Sequence, residues 1–313
     1  QYANLNVFYG GLEAILGPAS PDVMQAMEAD HCSKADATAP FVMQNGRTKT
    51  TSTIEWRFVH DPRNGADGRG AAFEPYPGPP QPPGEGADAE ALAKYEKKRR
   101  QYSPAKDRQP LPFEAFAAVL DERNRRLAGM GEPAVVLPEF LAARLYTGLA
   151  YMKYNSVLRG LQFAKMRAAM EALCMGNTYA ATLHALNSAI VKLSKLTRKG
   201  KVYRGLNDAT LPEQLRTPNE YNVKGAIEGA FMSTSLNREQ AMFYAKGGAD
   251  KARQGKAKIL FEIEMGMIDK GADLDWLSEF QGEQEILFAP LTGLELRGSR
   301  VEDAVLIFEA VLT

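Results

Sequence analysis

The most constraining stretch of this 313-residue chain is Gln281-Gly282-Glu283-Gln284-Glu285, which runs directly into Ile286-Leu287-Phe288-Ala289-Pro290. Glycine supplies a turn, and two acids then stand two residues apart ahead of an unbroken apolar run. A strand repeats its side chains every second residue, so the spacing predicts Glu283 and Glu285 on one face. Residues 286–288 show no polar alternation, the pattern of a strand covered on both sides. Two carboxylates at the mouth of a buried strand repel each other and resist desolvation, so they need a cationic or polarised partner. A solvated strand end beside a turn would carry the same residues, and the pair alone does not separate a site from a surface.

Charge and composition exclude several classes. With 38 basic and 38 acidic side chains, no net field recruits nucleic acid or an anionic membrane. No apolar run approaches the roughly 20 residues that span a bilayer. Residues 1–30 lack the basic start and apolar core of a signal peptide. Cys32 and Cys174 are the only cysteines, too few for a disulfide framework or a cysteine zinc site. His31, His60 and His184 have no ligand spacing, so no metal is expected. A neutral, cysteine-poor chain points to a reducing interior without fixing a compartment.

The length suggests about two domains. Within residues 1–70, Ser20-Pro21-Asp22 opens a helix with Val23, Met24 and Met27 as its apolar positions. Residues 48–59 are rich in β-branched and aromatic side chains and read as a strand, giving a small α+β module or an extension of the main domain. The glycines at 65–70 lack the spacing and strand–helix context of a dinucleotide loop and read as flexible chain. Prolines at 75, 77, 79, 80, 82 and 83 make an extended connector, with an SH3- or WW-type partner as the alternative. A helix over 85–101 ends in Lys97-Lys98-Arg99-Arg100, the pattern of a solvated face rather than a nucleic-acid surface. Residues 113–128 form an amphipathic helix.

From Pro138 three helices follow: one with Phe140, Leu141, Leu145 and Leu149, one over 156–175, and one over 178–197. Gly176-Asn177 separates the last two. Tyr146, Tyr151 and Tyr154 gather with Lys153, Asn155 and Arg159 at the first junction, either as core tyrosines or as a ligand-facing wall. After Gly200 the texture turns to strands. Arg204 shares a strand face with Val202 and Leu206 and needs an anion there, a structural carboxylate or a bound phosphate. Ser233-Thr234-Ser235 ends another strand, and Asn237 caps the helix after it. Residues 257–265 alternate as a half-exposed strand, and 301–312 close the sheet.

In this order, a strand arginine, a strand Ser-Thr-Ser and a later Glu-x-Glu resemble the signature of the arginine-specific mono-ADP-ribosyltransferases. That family includes actin-modifying toxins, vertebrate ecto-enzymes and protist homologues. The matching residues are Tyr203-Arg204-Gly205, Phe231-Met232-Ser233-Thr234-Ser235 and Glu283-Gln284-Glu285, and the resemblance covers residues 135–313. It implies an α+β fold of two packed antiparallel sheets with a helical lead-in, and NAD bound in the cleft between them. It implies transfer of ADP-ribose to arginine on a protein acceptor. Arg204 would pair with the NAD phosphates, and Gly205 would offer its backbone to the nicotinamide amide. Tyr203, Ser233, Thr234 and Ser235 would line the same site, with Phe243 or Tyr244 beside the nicotinamide. Ser233 would hold Glu285, the catalytic glutamate, while Glu283 would orient the acceptor guanidinium. Phe280 and Gln281 would belong to the loop that selects the protein acceptor, with Phe280 as its exposed aromatic or else a packed turn residue. An NAD glycohydrolase, or a non-catalytic NAD-binding module of the same fold, is the alternative. The expected division is 1–70, 71–134 and a catalytic 135–313.

Overall fold

The computed structural model describes residues 5–42, 49–60, 83–84, 88–101, 108, 111–209, 213–215, 217–247, 257–280 and 282–313. The glycine loop at 65–70, the prolines at 75–82 and Gln281 lie outside these residues. Helices lead and strands follow. The helices are α1 (Leu5–Leu16), α2 (Val23–Glu28), α3 (Ser52–His60), α4 (Ala89–Gln101), α5 (Ala117–Gly129), α6 (Leu137–Leu145), α7 (Tyr151–Gln162), α8 (Ala164–Cys174), α9 (Ala180–Ser194) and α10 (Arg238–Ala245). A short hairpin, β1 (Phe41–Val42) with β2 (Lys49–Thr50), precedes α3. The main strands are β3 (Gly200–Ala209), β4 (Gly225–Glu228), β5 (Met232–Ser235), β6 (Ala257–Met265), β7 (Ala272–Asp273), β8 (Glu285–Phe288), β9 (Thr292–Glu302) and β10 (Val305–Leu312).

Several expectations change. The strand read over 48–59 is mostly helix: Thr51 Oγ1 accepts the Ile54 N–H at 3.1 Å, capping α3. The buried side chains Ser52, Glu55, Trp56 and Val59 then follow helical spacing, so packing overrides the β-branched content. The helix read over 156–175 breaks at Phe163, whose backbone is extended. There α7 and α8 form a hairpin in which a Cβ at Gly160 would meet Met170 Cβ at 2.5 Å, so only glycine allows the approach. The first and second helices do not end in a junction at Tyr146; they run on through a π-turn, Tyr146–Ala150, with a kink at Gly148. The break at Gly176 is as read, with Met175 and Gly176 both left-handed.

The α+β class holds, and the sheet has the order β4-β9-β10-β6-β3-β5-β8-β7. It is not two wholly antiparallel sheets, because β10 runs parallel to β6. Two halves can still be distinguished, since β3 and β5 are joined only by the pair Tyr203↔Ser235. Val202, Ile259, Phe261, Ile263 and Phe308 from one half form a single apolar cluster with Met232, Ile286 and Phe288 from the other. Residues 301–312 do not close an edge. Asp303 and Ala304, both at positive φ, turn the chain between β9 and β10, and β10 lies inside the sheet. Strand β6 is mostly buried rather than alternating, and its Glu262 pairs with Arg238 and Arg300.

Described residues of the first 134 share the helical core. Met27, Trp56, Phe58 and Val59 pack in one cluster with Phe140, Leu158, Leu186 and Phe231. A buried polar group ties the same pieces together. Lys153 Nζ meets Asp36 Oδ2 at 2.7 Å, Asn177 Nδ2 donates to Asp36 Oδ1 at 2.8 Å, and the Tyr179 hydroxyl also donates to Asp36. His31 hydrogen-bonds Met27 O and the Tyr154 hydroxyl, both at 2.7 Å, and burial lowers its pKa to about 4. Among the described residues, no group of three His, Cys, Asp or Glu could hold a metal ion. None of their helices is long and apolar enough to cross a membrane. Removing one partner of a buried pair strands a charge. Lys153→Met is therefore expected to cost about 3–5 kcal/mol in denaturant unfolding, and Asp36→Asn in the same chain to recover most of it.

Candidate active site

The chemistry gathers where the two halves of the sheet separate. Strand β8 is buried along its whole length, flanked by β5 and β7, as its apolar run implied. Glu285 opens that strand opposite Ser235, and its O accepts from Leu274 N at 3.0 Å, so its backbone is held from both sides. Ser233 Oγ donates to Glu285 Oε1 at 2.5 Å. The residue is 8% exposed. Burial raises its pKa from 4.5 to about 7; the Ser233 hydrogen bond pulls it down, and Glu283 and Asp275 push it further up.

Glu283 does not sit on the same strand face. It lies in the turn ahead of β8, and Gln284 between the two acids has φ of 50°. The turn is pinned by Ser235 Oγ donating to Glu283 O at 2.8 Å, Leu236 N to Gln284 O at 3.1 Å, and Gln284 N to Asp275 Oδ1 at 3.0 Å. Glu283 is half-buried, and the Tyr244 hydroxyl donates to its Oε1 at 3.0 Å. Burial and that carboxylate raise the Tyr244 pKa. Tyr244 comes from α10, which Asn237 caps through the N–H groups of Glu239 and Gln240.

Arg204 lies on the β3 face expected from the sequence, and its anion is a structural carboxylate. Nη1 donates to Ser233 O at 3.0 Å and Nη2 to Glu228 Oε2 at 3.3 Å. Arg159 meets the same Glu228 at 3.2 Å. Burial opposes ionisation of Glu228, but Arg204 and Arg159 outweigh it and hold the pKa below its ordinary value. Two guanidinium groups thus share one carboxylate, and the cluster carries net positive charge next to Ser233.

Several expected site residues also have partners in the architecture. Tyr203 alternates to the opposite face from Arg204 and packs with Ala241, Met242 and Ala245 of α10. Gly205 is close to another backbone, but that backbone is α10: a Cβ there would collide with Ala241 O and lie 2.7 Å from Ala245 N. Thr234 is buried, and its Oγ1 donates to Ile286 O at 2.7 Å, holding β5 to β8. Phe243 is exposed and packs edge-on against Tyr244 with ring centroids 6.0 Å apart. Phe280 is half-buried rather than exposed, with the Arg108 guanidinium 5.9 Å from its ring. Of the three tyrosines at the lead-in, Tyr146 and Tyr154 are core. Tyr151 is half-buried, and burial together with Glu283 and Glu285 raises its pKa, so it stands beside the acids. Glu228 and the Tyr244–Glu283 bond had no local signal in the sequence, because each joins segments far apart in the chain, and Asp275 reaches Gln284 only through the fold of the intervening loop.

A family model described as ADP-ribosyltransferase exoenzyme matches residues 139–295, half of the 313-residue chain. Among solved structures, the Vis toxin, an ADP-ribosyltransferase from Vibrio splendidus, is 21% identical with a TM-score of 0.44, covering 64% of this chain and 82% of that one. The C3 exoenzyme of Clostridium limosum is 15% identical with a TM-score of 0.41, covering 64% of this chain and 94% of that one. HopU1 of Pseudomonas syringae pv. Tomato DC3000, also an ADP-ribosyltransferase, is 23% identical with a TM-score of 0.37 and coverages of 52% and 65%. A search of curated proteins found no match. The match across residues 139–295, which takes in β3, Ser233, Glu283 and Glu285, shows that this chain belongs to the ADP-ribosyltransferase exoenzyme family, toxin-like transferases that use NAD as substrate.

Proposed function

We propose that the chain moves ADP-ribose from NAD to the guanidinium of an arginine on a protein acceptor and releases nicotinamide. One observation carries the reading: the two acids of Glu283-Gln284-Glu285 stand in different environments, one sealed by Ser233 and one turned to a half-exposed tyrosine. Paired acids with separated environments are suited to separate roles.

Glu285 is the group for the sugar. When the bond between the nicotinamide nitrogen and ribose C1′ breaks, its electron pair leaves with neutral nicotinamide and C1′ becomes cationic. A fixed carboxylate stabilises that charge without reorganising, as in glycoside cleavage. Ser233 keeps it in place. Glu283 is the group for the acceptor. A carboxylate binds a guanidinium by charge-assisted hydrogen bonds and takes the proton that leaves as nitrogen gives its pair to C1′. A glutamine there could accept a hydrogen bond but could not take the proton, which favours arginine. Arg159 and Arg204 are suited to the NAD phosphates because the pair exceeds the charge of Glu228.

Labelled NAD incubated with agmatine, a free guanidinium, tests the reading. Wild type should label agmatine. Glu285→Ala should lose about 100- to 1,000-fold in labelling and in nicotinamide release, the usual scale for deleting a group that stabilises transition-state charge. Glu283→Gln should abolish labelling and spare nicotinamide release; equal loss of both would refute the division of roles. Nicotinamide release by wild type with no labelled acceptor would mean a glycohydrolase. Neither product would mean a binding module.

The pH profile gives a second test. Only ionised Glu285 stabilises a cation, so activity should rise with pH through about 7, and Ser233→Ala should move that inflection upward. Folding raises this pKa, so the accompanying stability cost is absent below about 4.5 and grows as pH climbs through 7. Glu285→Gln should therefore be more stable than wild type at pH 8, by roughly 3 kcal/mol at most, and no more stable at pH 4.

A further inference from the structure

Among the described residues ahead of the family-matched stretch, Arg108 reaches the loop that precedes Glu283. Arg108 is 8% exposed and lies between two fully buried carboxylates, Glu55 of α3 and Glu279 of the loop before Glu283. Its Nε donates to Glu279 Oε2 at 2.6 Å, while Nη2 and Nη1 donate to Glu55 Oε2 and Oε1 at 2.5 and 3.3 Å. The Phe58 ring lies 4.3 Å from the guanidinium carbon and the Phe280 ring 5.9 Å. Both residues are anchored elsewhere too. Thr50 Oγ1 donates to Glu55 at 2.5 Å, and the Glu279 N–H donates to Thr147 Oγ1 at 3.1 Å in the π-turn. Gly148 in that turn leaves room for the Glu279 carboxylate, where a Cβ would collide with it.

Arg144, also buried, donates to Leu277 O at 2.7 Å and acts electrostatically on Glu279. Two guanidinium groups therefore balance two carboxylates in a site closed to water. Burial raises the Glu279 pKa even with Arg108 present. Without Arg108, Glu55 and Glu279 would face each other unbridged, and the cheapest relief is movement of the loop that carries Glu279.

What moves is selective. Glu285 is held in β8 by ladders on both sides and by Ser233. Glu283 stands in the turn four residues after Glu279, and the bonds from Ser235 and Leu236 hold the backbone of that turn rather than the Glu283 carboxylate. We propose that Arg108 is a positioning residue for acceptor use: by bridging Glu55 and Glu279 it holds the loop 278–284 so that Glu283 meets the acceptor. The segment outside the family-matched stretch is then part of the transfer machinery. This rests on the functional reading above.

The test compares the full chain with Arg108→Met, Arg108→Lys and Glu55→Gln/Arg108→Met. The double variant removes the bridge while leaving Arg144 opposite Glu279, so its charges balance and it should melt close to wild type. In it, kcat/KM for agmatine should fall roughly 10- to 100-fold, the scale of a small misplacement, while nicotinamide release stays within about two-fold. Arg108→Lys keeps the charge without the fork and should fall between. Hydrogen exchange over 278–284 should rise in each variant. Equal loss of both activities in a variant that melts like wild type overturns the proposal, as does an unchanged ratio between them. If wild type labels no agmatine, the arginine reading fails, and exchange over 278–284 alone decides the role of Arg108: no rise overturns it.

Discussion

The sheet of this protein is continuous through a single residue pair, Tyr203↔Ser235, and the position of the site follows from that. On one side of the pair β3, β6, β10 and β9 form a long ladder; on the other, β5, β8 and β7 form a short one. Strands that pair at one point and then diverge leave backbone groups and side chains facing a gap. Ser233 O, which a longer ladder would hide, accepts instead from Arg204 across that gap. Ser233 Oγ turns the other way, to Glu285. One residue beside the pinch thus connects the cation of one half to the acid of the other.

Charge is handled differently in each region of the molecule. Asp36 with Lys153, and Arg108 and Arg144 with Glu55 and Glu279, are sealed and balanced, so they fix geometry. Glu285 is sealed but without a cation of its own, and its pKa records that deficit. Arg204 and Arg159 show the opposite imbalance, sharing one acid. The uncompensated negative and positive charges lie on either side of Ser233, which suits a substrate that presents anionic phosphates and develops a cation at its sugar.

Much of this was legible in the sequence where periodicity or capping encodes it. The unbroken apolar run of 286–288 became a strand buried on both faces, Asn237 capped the helix after Ser-Thr-Ser, and Gly176 ended a helix. Arg204 announced that it needed an anion, although only the structure chose Glu228. What could not be read locally came from elsewhere in the chain. Residues 48–59 favour a strand by composition, but Thr51 caps a helix and Trp56 and Val59 bury on its inner face. Glu262 looked like the wet side of β6 until Arg238 and Arg300 arrived from α10 and β9. The bond from Tyr244 to Glu283 crosses 39 residues, and no pattern in either segment calls for it.

Gly205 carries a consequence beyond packing. The carbonyl of Ala241 occupies the space its Cβ would take, so α10 seats on β3 backbone to backbone. Every single-base change of a glycine codon that alters the residue adds side-chain atoms or ends the chain. The position is therefore a dead end for stepwise mutation: neighbouring sequences cannot be sampled without lifting the helix. The height at which α10 holds Tyr244 beside Glu283 is therefore set by the bare backbone at Gly205.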